Sequence, residues 1–234
     1  MLSGVAMPPK PAIPPRARSR GSAREKLLDA ATELFCREGF NVVGVDAVLA
    51  RAGTAKSTLY KTFGSKDALV DAVLDREGRL WRDWFIGALD TGSSTARERL
   101  ERIGPLLGAW FSSAHFYGCP FINAVGEHDK ADDRMRRRAM AHKKVVHDRI
   151  AALLHEAGAK DAGALAHQVG LIVDGAIVAA LVTRDGGVAR AAGATLACVL
   201  DAHLGKRRVS RGTAAQPVRA TRRTMRTAEA VAAR

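Results

Sequence analysis

From residue 22 to residue 204 the apolar side chains recur three and four positions apart, and no run alternates with a period of two. A chain patterned this way can bury its apolar groups only as stripes along helices, so the fold is expected to be all-α. The helix boundaries are marked chemically. Ser22-Ala23-Arg24-Glu25 and Thr95-Ala96-Arg97-Glu98 are capping boxes, in which the hydroxyl accepts from the third helical N–H and the glutamate reaches back. Gly39, Gly53, Gly64 and Gly158 stand where helices must stop.

Read with these signals, a first helix buries Leu27, Leu28, Ala31, Leu34 and Phe35. A second spans about 45–52. A third spans about 55–62 behind a candidate cap at Thr54, with Leu59 and Phe63 inward. Ser65 caps a fourth helix whose apolar period continues from Leu69 to Phe85. After a linker at 91–94 come one helix through Phe111, a short one from Pro120 and a long charged one over about 130–157. A final pair, about 161–183 and 187–204, is rich in Ala, Gly, Val, Ile and Leu. The expected organisation is a basic arm at 1–21, a three-helix head at 22–68, a larger helical body at 69–204 and a basic tail at 205–234. The arm and tail are expected to be disordered.

The formal charge of +13 is unevenly placed. Residues 1–21 hold Lys10, Arg16, Arg18 and Arg20 with no acid, and 205–234 hold nine Lys or Arg against Glu229, so 22–204 carries only +1. Basic tails hold any polyanion without sequence preference, so the charge alone does not identify a specific DNA reader. Cys36, Cys119 and Cys198 are widely spaced and odd in number, which excludes a disulfide framework and fits a reducing compartment. No apolar run is read as long enough for a membrane span, and the N-terminus has no block of signal-peptide length. The chain is expected to be cytoplasmic.

Residues 53–66, GTAKSTLYKTFGSK, contain three lysines, five Ser or Thr hydroxyls, one tyrosine and no acid. Two short helices joined by a tight glycine turn describe a helix-turn-helix, whose second helix lies in the major groove with its first residues at base edges. An acid-free helix of small hydroxyls and lysines suits that place. A lysine at position 66, in the first turn of the next helix, opposes the helix dipole unless a phosphate sits above it.

These residues resemble the TetR-type one-component regulators. The resemblance rests on AREKLLDAATELFCREGF at 23–40 and on VDAVLARAGTAKSTLYKTFGSKDALVDAVL at 45–74, with the pattern AG-x-x-x-x-TLY-x-x-F-x-SK-x-x-L, and it covers residues 22–77. It implies that Thr54, Lys56, Ser57, Thr58, Tyr60, Lys61 and Lys66 contact double-stranded DNA. It also implies a helical body that binds a small-molecule effector, and a homodimer through about 161–204 acting as a repressor on a palindromic operator. The chain departs from the family at Val43-Gly44, where a hydroxyl usually caps the second helix and touches phosphate. Affinity is expected to lean correspondingly on the basic arm.

For the effector site, the candidates are Trp81, Trp84, Trp110, Phe111, Phe121, Asn123, His147 and Asp174, the aromatic ones being core residues by default. Asp174, within LIVDGAIV, must find a partner: a structural base, a ligand or a basic group across a dimer. Cys119 precedes a helix start, a place expected to lower its thiol pKa. No nucleophile elbow, phosphate loop or metal-spaced pair is found, so no catalytic residue, metal or cofactor is assigned. The rival readings are an enzyme using Cys119 or a histidine, and a coating protein that binds nucleic acid through its tails alone.

Overall fold

A computed structural model describes residues 21–92, 95–129 and 131–205 of the chain. The expectations for the arm and tail fall, apart from Gly21 and Gly205, outside the described residues. The described residues form ten helices and no strand.

The head is α1 (Ala23–Glu38), α2 (Val45–Ala52) and α3 (Lys56–Phe63). Ser22 and Glu25 close the capping box of α1, with Glu25 N donating to Ser22 Oγ at 3.3 Å and Ser22 N to Glu25 Oε2 at 2.9 Å. Leu27, Leu34, Phe35, Phe40, Val48 and Leu59 converge between these helices and are fully or almost fully buried. α2 ends on Gly53 at φ +62°, a left-handed turn that a side chain would strain. That turn overturns the expected cap of α3. The Thr54 amide is committed to Leu49 O at 3.2 Å, which closes α2, so the extended residue Ala55 becomes the N-cap instead. The Thr54 hydroxyl is drawn inward and finds no hydrogen-bond partner.

The head passes into the body through α4 (Lys66–Asp90), capped by Ser65 Oγ accepting from Ala68 N at 3.0 Å. Its 25 residues reach about 37 Å at 1.5 Å each. The first half packs Leu69, Val70, Val73 and Leu74 into the head, and the second carries Trp81, Trp84, Phe85 and Leu89 into the body. Arg76 fixes α4 to α1, with Nη1 2.7 Å from Asp29 Oδ1 and Nη2 donating to Leu28 O at 3.0 Å.

The body adds α5 (Ala96–Glu101), α6 (Ile103–Phe111), α7 (Pro120–Glu127), α8 (Arg134–Glu156), α9 (Ala162–Thr183) and α10 (Gly187–Leu204). The single helix expected after Thr95 is broken at Arg102. Pro105 supplies no N–H for Glu101 O, and its ring crowds that carbonyl. The charged helix starts at Arg134, later than expected: Asp133 is its N-cap without a side-chain cap bond, and the Arg134 amide is taken by Asp132 Oδ1 at 2.8 Å in the turn that precedes it. α6 crosses α10 backbone to backbone: a Cβ on Gly104 would lie 2.9 Å from Gly193 Cα.

A further correction concerns α9. Among the described residues it alone is long and apolar enough to cross a membrane by length and composition, with a mean hydropathy of 1.9 over its most apolar window. Asp174 at its middle and its many Gly and Ala residues break up the apolar run in the sequence. In the fold, Leu165, Val169, Val173 and Ile177 face the body, and Asp174 is answered by Lys143 of α8.

Candidate nucleic-acid interface and cavity

The third helix presents the side chains that the sequence singled out. Lys56, Ser57, Tyr60 and Lys61 are exposed, Thr58 is half-buried, and Leu59 beneath them is fully buried. Leu59 holds the helix down while Tyr60, 45 % exposed, stays accessible. No acid stands in the first turn of α3. The one nearby, Asp46 of α2, lies 3.8 Å from Lys56 Nζ, and both side chains are mostly in solvent, where such a pair contributes little. Thr62 Oγ1 donates to Thr58 O at 2.6 Å and so turns away from the surface.

Two of the candidates are less free. Thr54 is turned inward, as described. Lys66 folds back on the head, with Nζ 3.4 Å from Asn41 O and 5.9 Å from the centroid of the Phe35 ring. Its ammonium thus has a carbonyl and an aromatic face where the sequence suggested a phosphate. Gly44 is the N-cap of α2 and makes no side-chain cap bond, as Val43-Gly44 implied.

In the body, α4, α6, α7, α8 and α9 line a half-open cavity of about 670 Å3, with the exposed Met140 and Leu171 at its rim. Of the candidates, Trp81, Trp110, Phe121, His147 and Asp174 line it. Trp84, Phe111 and Asn123 do not. Trp84 is buried beside Trp81 and Phe85, Phe111 packs on Phe116 with ring centroids 4.9 Å apart, and the Asn123 amide donates to Tyr117 O at 2.9 Å. The walls are mainly apolar; the polar groups are the buried acid Glu77 of α4 and a larger set along α8 and the facing turns of α9. Lys143 Nζ lies 2.5 and 2.6 Å from the two carboxylate oxygens of Asp174, so the partner this acid required is a base of its own chain. The His147 and His167 rings lie 4.3 Å apart.

His142 escaped the sequence reading. It is buried, and its ring stacks on Phe121 with centroids 4.2 Å apart and planes at 14°. Burial, reinforced by the charges of Arg82 and Lys143, pushes its pKa down to about 3. Arg82 Nη1 stands 2.9 Å from Nδ1, and an arginine can only donate, so Nδ1 accepts and the neutral ring carries its proton on Nε2. A signal existed, since Met135, Ala139 and His142 follow helical spacing on the otherwise charged α8 and all three are buried.

Cys119 corrects another expectation. It is the N-cap of α7, but it is buried, and burial pushes its thiol up from its ordinary value despite the opposing amides of Ile122 and Phe121. A high-pKa, enclosed thiol is a poor nucleophile. Among the described residues no group of three or more His, Cys, Asp or Glu is placed to hold a metal ion.

Comparison with known proteins agrees with this layout. Residues 27–73 match the family model described as bacterial regulatory proteins, tetR family. The fold superposes on a TetR-family transcriptional regulator from Streptomyces coelicolor with a TM-score of 0.72 and 30 % identity, covering 78 % of this chain and 96 % of that one. An uncharacterised HTH-type transcriptional regulator of Mycobacterium tuberculosis is 33 % identical over 106 residues, 42 % of this chain and 52 % of that protein. The HTH-type transcriptional activator FasR of Mycolicibacterium smegmatis is 27 % identical over 166 residues, 68 % of each. The chain thus spans about half the length of the first of these curated relatives and two thirds of the second. With its helix-turn-helix head, its all-helical body and a Streptomyces relative matched over nearly its whole length, the chain belongs to the TetR family of DNA-binding transcriptional regulators, which are not enzymes.

Proposed function

We propose that the protein is a cytoplasmic, effector-responsive repressor that acts as a homodimer on a palindromic operator. The observation that carries this reading is the course of α4, which is anchored in the head at Ser65 and walls the cavity at Glu77, Gly78 and Trp81. A ligand that fits one state of the cavity better than another biases that helix, and with it the placement of the reader. Lys56, Ser57, Thr58, Tyr60 and Lys61 contact the DNA, with Lys66 joining them when it leaves Asn41; Thr54 supports them from below. The reader is residues 22–68 and the regulatory body 69–204, with the basic arm and tail adding contacts that ignore sequence.

The α9 surface supports dimerisation. Leu171 and Val182 are 75 % and 76 % exposed, and Val178 and Leu181 accompany them. An apolar stripe of this kind on a helix of a folded body is a surface awaiting cover. A second copy also supplies the second recognition helix that successive major grooves demand, about 34–36 Å away. The effector is a largely apolar small molecule of drug-like size, with a polar end for the histidine and Lys143–Asp174 side of the cavity. No cofactor is required.

The test is a titration of the protein against the DNA upstream of its own gene, with competitor DNA, comparing wild type with Tyr60→Ala. Sequence-preferring binding that the substitution removes supports the reading. Binding that ignores sequence and survives the substitution leaves only the basic tails and refutes it. Cross-linking α4 to the body should abolish release of DNA by any effector found.

A further inference from the structure

One end of α7 lies in the wall of the cavity and the other lies on the head. At the first end, Cys119, Pro120 and Phe121 line the cavity. Phe121 is wedged there, stacked on His142 and so close to α4 that a Cβ on Gly78 would stand 2.8 Å from its Cζ. At the far end, Glu127 Oε2 accepts the backbone N–H of Asn41 at 3.0 Å, and the Asn41 side-chain amide donates to Glu127 O. The same carboxylate closes on Gly39, where an added Cβ would lie 3.0 Å from Oε2. Gly39 and Asn41 belong to the turn that sets α2 against α1. The Asn41 carbonyl in turn receives Lys66 Nζ. The eight residues of α7 span about 12 Å, and a hydrogen-bonded helix that short moves as a unit.

We propose that Glu127 is a positioning residue for DNA reading. Its bonds to Asn41 set the tilt of the α1–α2 turn, and α7 makes that tilt depend on whether the cavity is filled. A molecule in the cavity displaces Phe121, α7 shifts along or about its axis, and the clasp on Asn41 loosens. The turn, α2 and Lys66 then lose their fixed relation to the recognition helix. This inference rests on the effector-responsive reading and adds to it a second connection, separate from α4.

The experiment uses the full chain and fills the cavity by substitution, so that no effector is needed. Gly170→Leu places an aliphatic side chain at a wall position where an added Cβ meets nothing within 4 Å. Gly78→Ala instead pushes on Phe121. Each is made in the wild-type and Glu127→Ala backgrounds, with Glu127→Gln as the variant that keeps a carbonyl acceptor. Thermal melting and sedimentation confirm that fold and assembly state are retained. The readouts are affinity for a duplex that the wild type selects from a random pool, and hydrogen exchange at the Asn41 amide.

With Glu127 present, Gly170→Leu is expected to weaken duplex binding by about tenfold, the middle of the usual range for coupled sites, and to speed exchange at Asn41. With Glu127→Ala already in place, the further loss is expected to shrink to less than about twofold, the non-additivity expected of residues acting in one connection. Glu127→Gln should recover most of the coupling. Equal weakening in both backgrounds would overturn the proposal while leaving the effector-responsive reading intact, because α4 alone would then carry the signal. If both cavity substitutions leave binding and Asn41 exchange unchanged in the wild-type background, the cavity is not coupled to the head and both readings fall.

Discussion

Substituting Gly104 by alanine tests whether the body is held by the backbone crossing of α6 and α10. The added Cβ would lie 2.9 Å from Gly193 Cα and 3.5 Å from Gly193 N. Carbon atoms rest at about 3.5–4.0 Å, so the two helices must separate by somewhat under 1 Å, and the obstructing atoms are backbone that no rotamer change can remove. Overpacking of this kind costs about 1–3 kcal/mol. Part of that is offset, because alanine is about 1 kcal/mol better than glycine inside a helix. A net loss of up to about 2 kcal/mol is expected, or up to about 8 °C in melting temperature for a domain of this size. Gly170→Ala is the control. The new Cβ meets nothing within 4 Å, so only the helix preference remains and stability should rise by up to about 1 kcal/mol. Melting is followed by circular dichroism at one fixed protein concentration, since assembly contributes to the apparent value. If Gly104→Ala gains stability as Gly170→Ala does, the close crossing is not present as described.

Three further outcomes are expected. Lys61→Ala should weaken DNA binding across sequences alike and lower the slope of log K against log salt by about one per subunit, read from titrations at several salt concentrations. His142 takes up its proton at about 3 when folded and at about 6.5 when unfolded. Between those values the unfolded chain binds more protons, so stability falls as pH falls, by up to about 1.4 kcal/mol per pH unit. His142→Gln, which keeps an acceptor for Arg82, should flatten the curve between pH 6 and pH 4 in denaturant titrations. Replacing Lys143 and Asp174 together by Met and Leu should change stability by less than about 1 kcal/mol, because both side chains are more than a third exposed. The same double substitution should alter which ligands the cavity accepts, as followed by tryptophan fluorescence.

The sequence was most informative where structure is decided locally. Ser22 with Glu25, Ser65, Thr95 with Glu98, and Asp161 each act within one turn of their own helix, and all of them cap as their residue types imply. The break at Arg102 was also available, because Pro105 cannot continue the helix begun at Ala96. The Thr54 cap failed because the end of one helix took the amide that the start of the next required, a competition between neighbours that no single-helix rule resolves. The cavity was half legible. Aromatic residues announce a core, but which of them border empty space depends on five helices meeting, so Trp81 and Trp110 line it while Trp84 does not. Asn41 and Glu127 stand 86 positions apart, and nothing near either residue in the sequence refers to the other.

The course of α4 also constrains how proteins of this shape can exchange parts. A recombination joint at residue 68 would look natural from the motif, yet it would separate Leu69, Val70, Val73 and Leu74 from the core they complete. It would also divide Arg76 from Asp29 and from the Leu28 carbonyl, leaving each half of that contact with a different parent. A new operator specificity is therefore inherited intact only when the splice lies beyond Arg76. Such a splice brings the donor to the edge of Glu77 and Gly78 in the cavity wall, so a lineage that borrows a reading head places the junction where the ligand is sensed.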